Sequence, residues 1–288
     1  MSTIIQLKQG SPDWLAYRLT MRNASETAAV LGISPWTTPY QLWLLKTGRQ
    51  PQAVTAAMQH GTDLEPAARA AYEVQTGNIM QPLVLQDGAY SASLDGMNLE
   101  YDLIVEIKCP VQGQDSALWK DVAGGTVPGH YGIQIQHQLM VSGAALAHLW
   151  VFDGVHCLLH PIERDEADMQ RIRERWDWFQ GFLDSGIPPQ LTDADTVLRE
   201  DAVWMQAAQE YSQAKLASDA AGAGLEKACN ALVALASHPR KQGAGVAVTR
   251  FWKTGNVDYK KVPVLQGIDL SGYRGKAREE VRVAATAP

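Results

Sequence analysis

The stretch "SASLDGMNLEYDLIVEIKCP" (residues 91–110) decides the fold. It ends on an apolar run, Leu103 to Ile107, into which Glu106 and Lys108 are set, and Asp95-Gly96 closes the shorter apolar approach before it. On a strand, successive side chains alternate faces, so Glu106 and Lys108 share one face while Ile107 enters the core. Asp95, at the end of the preceding strand, can reach the same edge. Two carboxylates held together raise each other's pKa unless a cation sits between them. Mg²⁺ suits such a place, because it takes a few carboxylate or carbonyl oxygens and keeps several waters. A metal there polarises a phosphodiester and acidifies water, with Lys108 beside that water to orient or deprotonate it. The plainer alternative is a cross-pleat ion pair on a solvated sheet face, with Asp95 as a turn former. The apolar surroundings argue against it, since a buried charge needs a partner.

Around this centre the pattern predicts helices over 12–20, 23–32, 39–48 and 61–77, the last with Leu64, Ala67, Ala68, Ala71 and Tyr72 as its apolar stripe. Strands follow over 83–96 and 103–110, broken by Asp-Gly turns, then helices over 115–125 and 130–143. Residues 146–154 and 155–163 read as a hairpin, and 165–186 as an amphipathic helix. This order describes an α/β core, a mixed central sheet flanked by helices, occupying residues 1–190. Residues 191–288 form a C-terminal extension: a helical stretch over 198–237 interrupted at 222–224, then a small β-containing unit over 245–283.

A hydrophobic content of 46% with 19% charged residues is that of a globular protein. No apolar run approaches a membrane span, and the N-terminus carries no signal-peptide pattern. Three well-separated cysteines (Cys109, Cys157, Cys229) suit a reducing compartment, so the expected location is the cytoplasm. They are one short of an iron–sulfur ligand set. His156 and His160 read as structural, and Trp176 and Phe179 as packing residues. The net charge of −6 hides an asymmetry: residues 239–288 hold ten Lys/Arg against four Asp/Glu, or +6, leaving −12 on residues 1–238. An acidic body can still grip a polyanion if its basic groups line one groove.

"SLDG", "VEIKCP" and "YGIQIQHQLMVSG", in that order, are similar to the motifs of the phage lambda exonuclease, or YqaJ-type viral recombinase, family of the PD-(D/E)xK nucleases. The resemblance covers roughly residues 10–185, with Leu94 standing where the family has a proline. It implies a restriction-endonuclease-like core in which Asp95, Glu106 and the Ile107 carbonyl bind Mg²⁺ (with Mn²⁺ able to substitute) and Lys108 activates water. Glu65, in "GTDLE", matches an upstream acid that binds metal-coordinated water, and Gln134 matches a glutamine after the ExK strand, with Tyr131 near it. Upstream, Arg18 and Arg22 lie before a helix start at Asn23–Ser25, where free N–H groups favour an anion. In the family, W-x-x-x-R followed by A-S-E matches a pocket for a terminal 5′-phosphate, carried here by Arg18 and Ser25, with Ser93 as a further contact. Met58 matches an apolar wedge between terminal bases. Gln114 stands where a relative has an arginine, with Lys120 as the candidate replacement.

The resemblance therefore implies a metal-dependent 5′→3′ exonuclease on double-stranded DNA, phage- or prophage-borne in a bacterial host. It also implies a homotrimeric ring and a single-strand annealing protein as partner. The alternatives are an endonuclease using the same site, or a weakly catalytic DNA-binding scaffold that recruits the annealing protein.

Overall fold

The computed structural model describes residues 2–51, 55–253, 255, 262–263 and 268. Residues 1–196 and 197–288 form two compact units. The first contains helices α1 (Pro12–Thr20), α2 (Thr27–Val30), α3 (Pro39–Lys46), α4 (Ala56–Thr76), α5 (Ala117–Ala123), α6 (Gly129–Ser142) and α7 (Glu166–Ser185). Its strands are β1 (Thr3–Ile4), β2 (Arg22–Asn23), β3 (Gln81–Asp87), β4 (Tyr90–Met97), β5 (Leu103–Lys108), β6 (Leu146–Phe152) and β7 (Cys157–Glu163).

The strands form one seven-stranded sheet in the order β1-β3-β4-β5-β6-β7, with β2 paired to β4. β5 and β6 run parallel, joined through α5 and α6, whereas β3-β4, β4-β5 and β6-β7 are antiparallel. β5, "LIVEIK", is buried at five of its six positions because helices cover both faces of the sheet at its centre. On one face Ile104 and Leu149 pack with Leu118 of α5 and with Ile135 and Leu139 of α6. On the other, Val105, Ile107 and Trp150 pack against Ala68 and Tyr72 of α4. α7 covers the outside of α6 with Ile172, Trp176 and Phe179. The fold is thus the expected mixed sheet flanked by helices.

Helix ends follow their chemistry. The Thr55 hydroxyl accepts from the Met58 N–H at 3.2 Å to open α4, and Gly77 closes it at φ 75°. α4 begins earlier than the periodicity predicts, and Ala67, expected on its apolar stripe, is exposed. The helix expected over 23–32 is instead a short strand, a 3-10 turn over Ala24–Glu26 and the four-residue α2.

In the second unit, α8 (Ala202–Leu235) is continuous through Gly222 and Gly224, with no break. Two helical glycines cost about 2 kcal/mol, which the surrounding alanines, leucines and glutamates tolerate. β8 (Arg240–Gly243) and β9 (Val246–Thr249) pair as a hairpin, and most of the β unit expected over 245–283 lies outside the described residues. No described helix is long and apolar enough to cross a membrane.

Candidate active site

β4 and β5 are antiparallel with Gly96 opposite Val105, which brings Asp95 close to Glu106, whose side chain faces α6. The Asp95 Oδ2 atom accepts the Ile107 N–H at 2.7 Å, locking the carboxylate across the strand pair. Gly96 is needed beside it: a Cβ there would sit 2.7 Å from the Met80 Cβ and 2.8 Å from the Val105 Cγ1.

Glu106 is 2% exposed and fully engaged. Its Oε1 accepts from Lys108 Nζ and from Gln134 Nε2 (2.6 Å), and its Oε2 accepts from Gln138 Nε2 (2.6 Å). Gln134 and Gln138 lie one turn apart on α6, so a single helix face delivers both amides. Gln138 also leans on the Ser93 carbonyl at 3.5 Å, while its own Oε1 is buried without a partner. Lys108 Nζ stands 5.3 Å over the Tyr131 ring.

α4 brings in Glu65, ion-paired to Arg69, whose Nε donates to the Asp95 carbonyl at 2.7 Å. The acids press on one another. Burial, then Glu106 and Glu65, push the Asp95 carboxyl well above the usual range, against the opposing pull of Lys108 and the Ile107 N–H. Burial likewise raises Glu65, opposed by Arg69. For Lys108 burial disfavours the charge, but Glu106 and Asp95 outweigh it and hold the ammonium above the ordinary lysine range. This cluster is short of positive charge.

The N-terminal part of the first unit builds a second group beside it, linked through Trp14. The indole Nε1 donates to Ser93 Oγ at 3.1 Å, and the Arg18 guanidinium lies 4.6 Å from the centre of the Trp14 ring. Arg18 Nη2 donates to Ser25 Oγ (3.0 Å) and to Glu26 Oε1 (3.2 Å). Lys46, its side chain only 2% exposed, pairs with Glu26 at 2.6 Å and donates to the Arg18 and Met21 carbonyls. Burial lowers the Lys46 pKa, and Glu26 opposes the shift. Two cations share one carboxylate, which leaves a positive surplus beneath the exposed Ser25.

Residues 13–145 match the YqaJ-like viral recombinase domain. The first unit resembles that family over this stretch. The uncharacterized protein YqaJ of Bacillus subtilis (strain 168) is 27% identical over 170 residues, 56% of this chain and 52% of that protein, so the match spans about half the length of the relative. An alkaline exonuclease from Laribacter hongkongensis is similar in structure, with a TM-score of 0.53, 28% identity and coverage of 62% of this chain and 94% of that one. The same exonuclease in complex with dAMP gives a TM-score of 0.54 and 27% identity, with the same coverage.

Within the first unit, Asp95, Glu106, Lys108, Gln134, Glu65, Ile107 and Tyr131 come together, and Arg18, Ser25 and Ser93 adjoin them through Trp14. Met58, on the first turn of α4, is 46% exposed. Arg22 does not join the Arg18 group: Tyr90 and Asp177 hold its guanidinium at 2.9 and 2.7 Å. The Asn23–Ser25 helix start is a 3-10 turn, and the Asn23 amide is spent on the Arg18 and Met21 carbonyls and on Glu26. Lys120 Nζ donates to the Asp115 carbonyl at 2.8 Å, while Gln114 binds Asp153 and His156. Sequence reasoning missed Gln138, Arg69, Lys46 and Glu26. The i, i+4 pairs Gln134/Gln138 and Glu65/Arg69 were the available signal for the first two; Lys46 and Glu26 are joined by tertiary contact alone.

Among the described residues no group of three or more His, Cys, Asp or Glu side chains is placed to hold a metal ion. Two carboxylates, Asp95 and Glu106, with a neighbouring backbone carbonyl, nevertheless fit a hard divalent ion that keeps most of its waters.

Proposed function

We propose that this chain is a metal-dependent 5′→3′ exonuclease of double-stranded DNA, which anchors the 5′-phosphate end, releases mononucleotides and leaves a 3′ single strand for phage-type recombination by annealing. The observation that carries this reading is the unbroken run of contacts Arg18–Trp14–Ser93–Gln138–Glu106–Lys108, which joins a cationic pocket to an acidic cluster. Likeness to a named exonuclease at 28% identity supports it.

Asp95, Glu106 and the Ile107 carbonyl are the residues that would hold Mg²⁺, with Mn²⁺ able to substitute. When bound, the ion polarises the phosphodiester and acidifies water. The chain's own groups do the rest. Lys108 orients the attacking water and offsets charge gathering on the phosphate. Glu65 accepts a hydrogen bond from water on the α4 side. Gln134 fixes Glu106 Oε1, so the carboxylate cannot rotate away. Arg18, Ser25 and Ser93 bind the terminal phosphate, with Glu26 and Lys46 holding Arg18 in place. Tyr131 shields Lys108, and Met58 wedges between the terminal bases.

A homotrimeric ring with basic groups along its channel would reconcile the acidic body with a polyanionic substrate, and the basic stretch 239–288 is available for DNA grip, subunit contact or docking of a single-strand annealing protein. The setting that fits is a bacterial cytoplasm with a phage or prophage gene.

The test is digestion of linear duplex bearing one 5′-phosphate end, with and without Mg²⁺, by the parent and by Lys108→Ala. Mononucleotides should appear from the phosphorylated end in Mg²⁺ alone, and Lys108→Ala should abolish them. Cleavage of covalently closed circles would replace this reading with an endonuclease, and no cleavage of any DNA would leave a binding scaffold.

A further inference from the structure

Trp36 lies between α2 and α3 with its residue surface 67% exposed. A single exposed apolar residue means little by itself, but this one heads a line of rings. The edge of His130 meets it at 4.9 Å between centroids and 90°, Tyr131 lies 5.9 Å from it, and His130 and Tyr131 are 4.2 Å apart. The far end of the line is the Lys108 amine, 5.3 Å from the Tyr131 ring. The rings are also held in place. The Ser34 hydroxyl accepts the Trp36 and Thr37 N–H groups at 3.2 Å, and the Thr38 capping box starts α3 immediately afterwards. An indole so positioned loses little entropy when a flat partner covers it.

We propose that Trp36, braced by His130, is a stacking platform for the nucleobase next to the scissile phosphate, an assignment that rests on the nuclease reading above. The chemistry favours a base over other partners. The platform offers an aromatic face beside the amine that serves the phosphate, and a nucleotide joins those two features in one molecule. Stacking is indifferent to sequence, because every base has a π-face, as an enzyme that degrades an arbitrary strand requires. Burial and the neighbouring Lys108 both lower the His130 pKa, so its ring stays neutral and adds no competing charge near the catalytic amine.

The experiment uses the full chain in chelator, which prevents cutting, and 5′-phosphorylated duplexes carrying 2-aminopurine at the first, second or sixth nucleotide. The parent and Trp36→Phe should quench the probe at the first or second position. Trp36→Ala should lose that quenching, leave the sixth-position probe unchanged and bind about tenfold more weakly. With Mg²⁺ restored, Trp36→Ala should raise KM about tenfold on intact ends but not on ends whose first two bases are abasic. Three outcomes overturn the platform: undiminished quenching by Trp36→Ala, an equal loss at all three positions, or a changed oligomeric state of Trp36→Ala, which would make Trp36 a subunit contact. A parent that neither binds nor cuts DNA overturns the nuclease reading as well, whereas a parent that cuts normally while Trp36→Ala is silent overturns the platform alone.

Discussion

Replacing Gln138 with leucine should separate activity from stability. Gln138 is 1% exposed; its Nε2 donates to the Glu106 Oε2 atom at 2.6 Å, and its Oε1 is buried without a partner. A hydrogen bond to a charged group contributes roughly 1.5–3 kcal/mol, and a stranded buried carbonyl costs about 1–3 kcal/mol. Leucine removes both but leaves the buried Glu106 Oε2 atom without its donor, so the contributions cancel only in part and stability should fall by about 1–2 kcal/mol. For a unit of this size that is a Tm fall of roughly 2–8 °C. Activity has no such cancellation. Glu106 keeps Lys108 and Gln134 on Oε1 but is free to swing at Oε2. If the lost bond served to hold the carboxylate in its reacting position, kcat/KM falls about 10- to 150-fold. Initial rates of nucleotide release from linear duplex, beside thermal unfolding followed by fluorescence, decide the matter. Activity retained within about twofold refutes the positioning argument, and a Tm fall of more than about 10 °C with proportionate loss of activity reduces Gln138 to a packing residue.

Arg18→Ala should reduce the preference for 5′-phosphate over 5′-hydroxyl ends by about 10- to 150-fold, the worth of one charge-assisted contact; equal loss on both ends counts against the pocket. Trp14→Phe keeps a ring for Arg18 but loses the N–H to Ser93, so the same preference should fall only about fivefold, without loss of the fold. His137 is wholly buried, and burial depresses its pKa from 6.5 to about 3. The unfolded chain therefore takes up a proton at a pH where the folded one does not, and stability drops as pH falls below 6.5, by about 2 kcal/mol at pH 5. His137→Gln, which can still accept from Thr27, should flatten that part of the Tm-against-pH curve. Gly96→Ala pushes a methyl into Met80 and Val105 and should cost about 1–3 kcal/mol by chemical denaturation, with activity falling further because Asp95 adjoins it.

Strand alternation made the heart of the site legible. Glu106 and Lys108 had to share a face, and an acid inside "LIVEIK" had to have partners. Family motifs then pointed to Gln134, Glu65 and Arg18. Two kinds of information were hidden. One is tertiary: Lys46 and Glu26 are twenty residues apart, and nothing in "QLWLLKTG" marks its lysine as the buried partner of an upstream acid. The other is competition for the same group. Arg22 and Arg18 look equivalent in "YRLTMRNAS", yet Tyr90 and Asp177 capture Arg22, and no local pattern reveals that. The helix expected over 23–32 failed for a related reason, since pairing of Arg22 and Asn23 with Tyr90 and Ser91 of β4 outbids a short helix.

An exonuclease that removes one nucleotide at a time needs a fixed spacing between the group that grips the end and the group that cuts. β4 offers that spacing. Ser93 and Asp95 are two residues apart on β4, and a bulge between Leu94 and Met97 carries Asp95 out of the regular pleat toward β5. Ser93 meets the Arg18 pocket through Trp14, and Asp95 is locked to β5 through the Ile107 N–H. Ser93 pairs with Val84 of β3, and Gly96, next to Asp95, pairs with Val105 of β5, so a shift of β4 breaks one ladder or the other. On the nuclease reading proposed above, the gripping and the cutting group are both carried by one central strand, β4. Loosening Trp14 should blur end preference, whereas loosening Gln138 should slow each cut without changing where it falls.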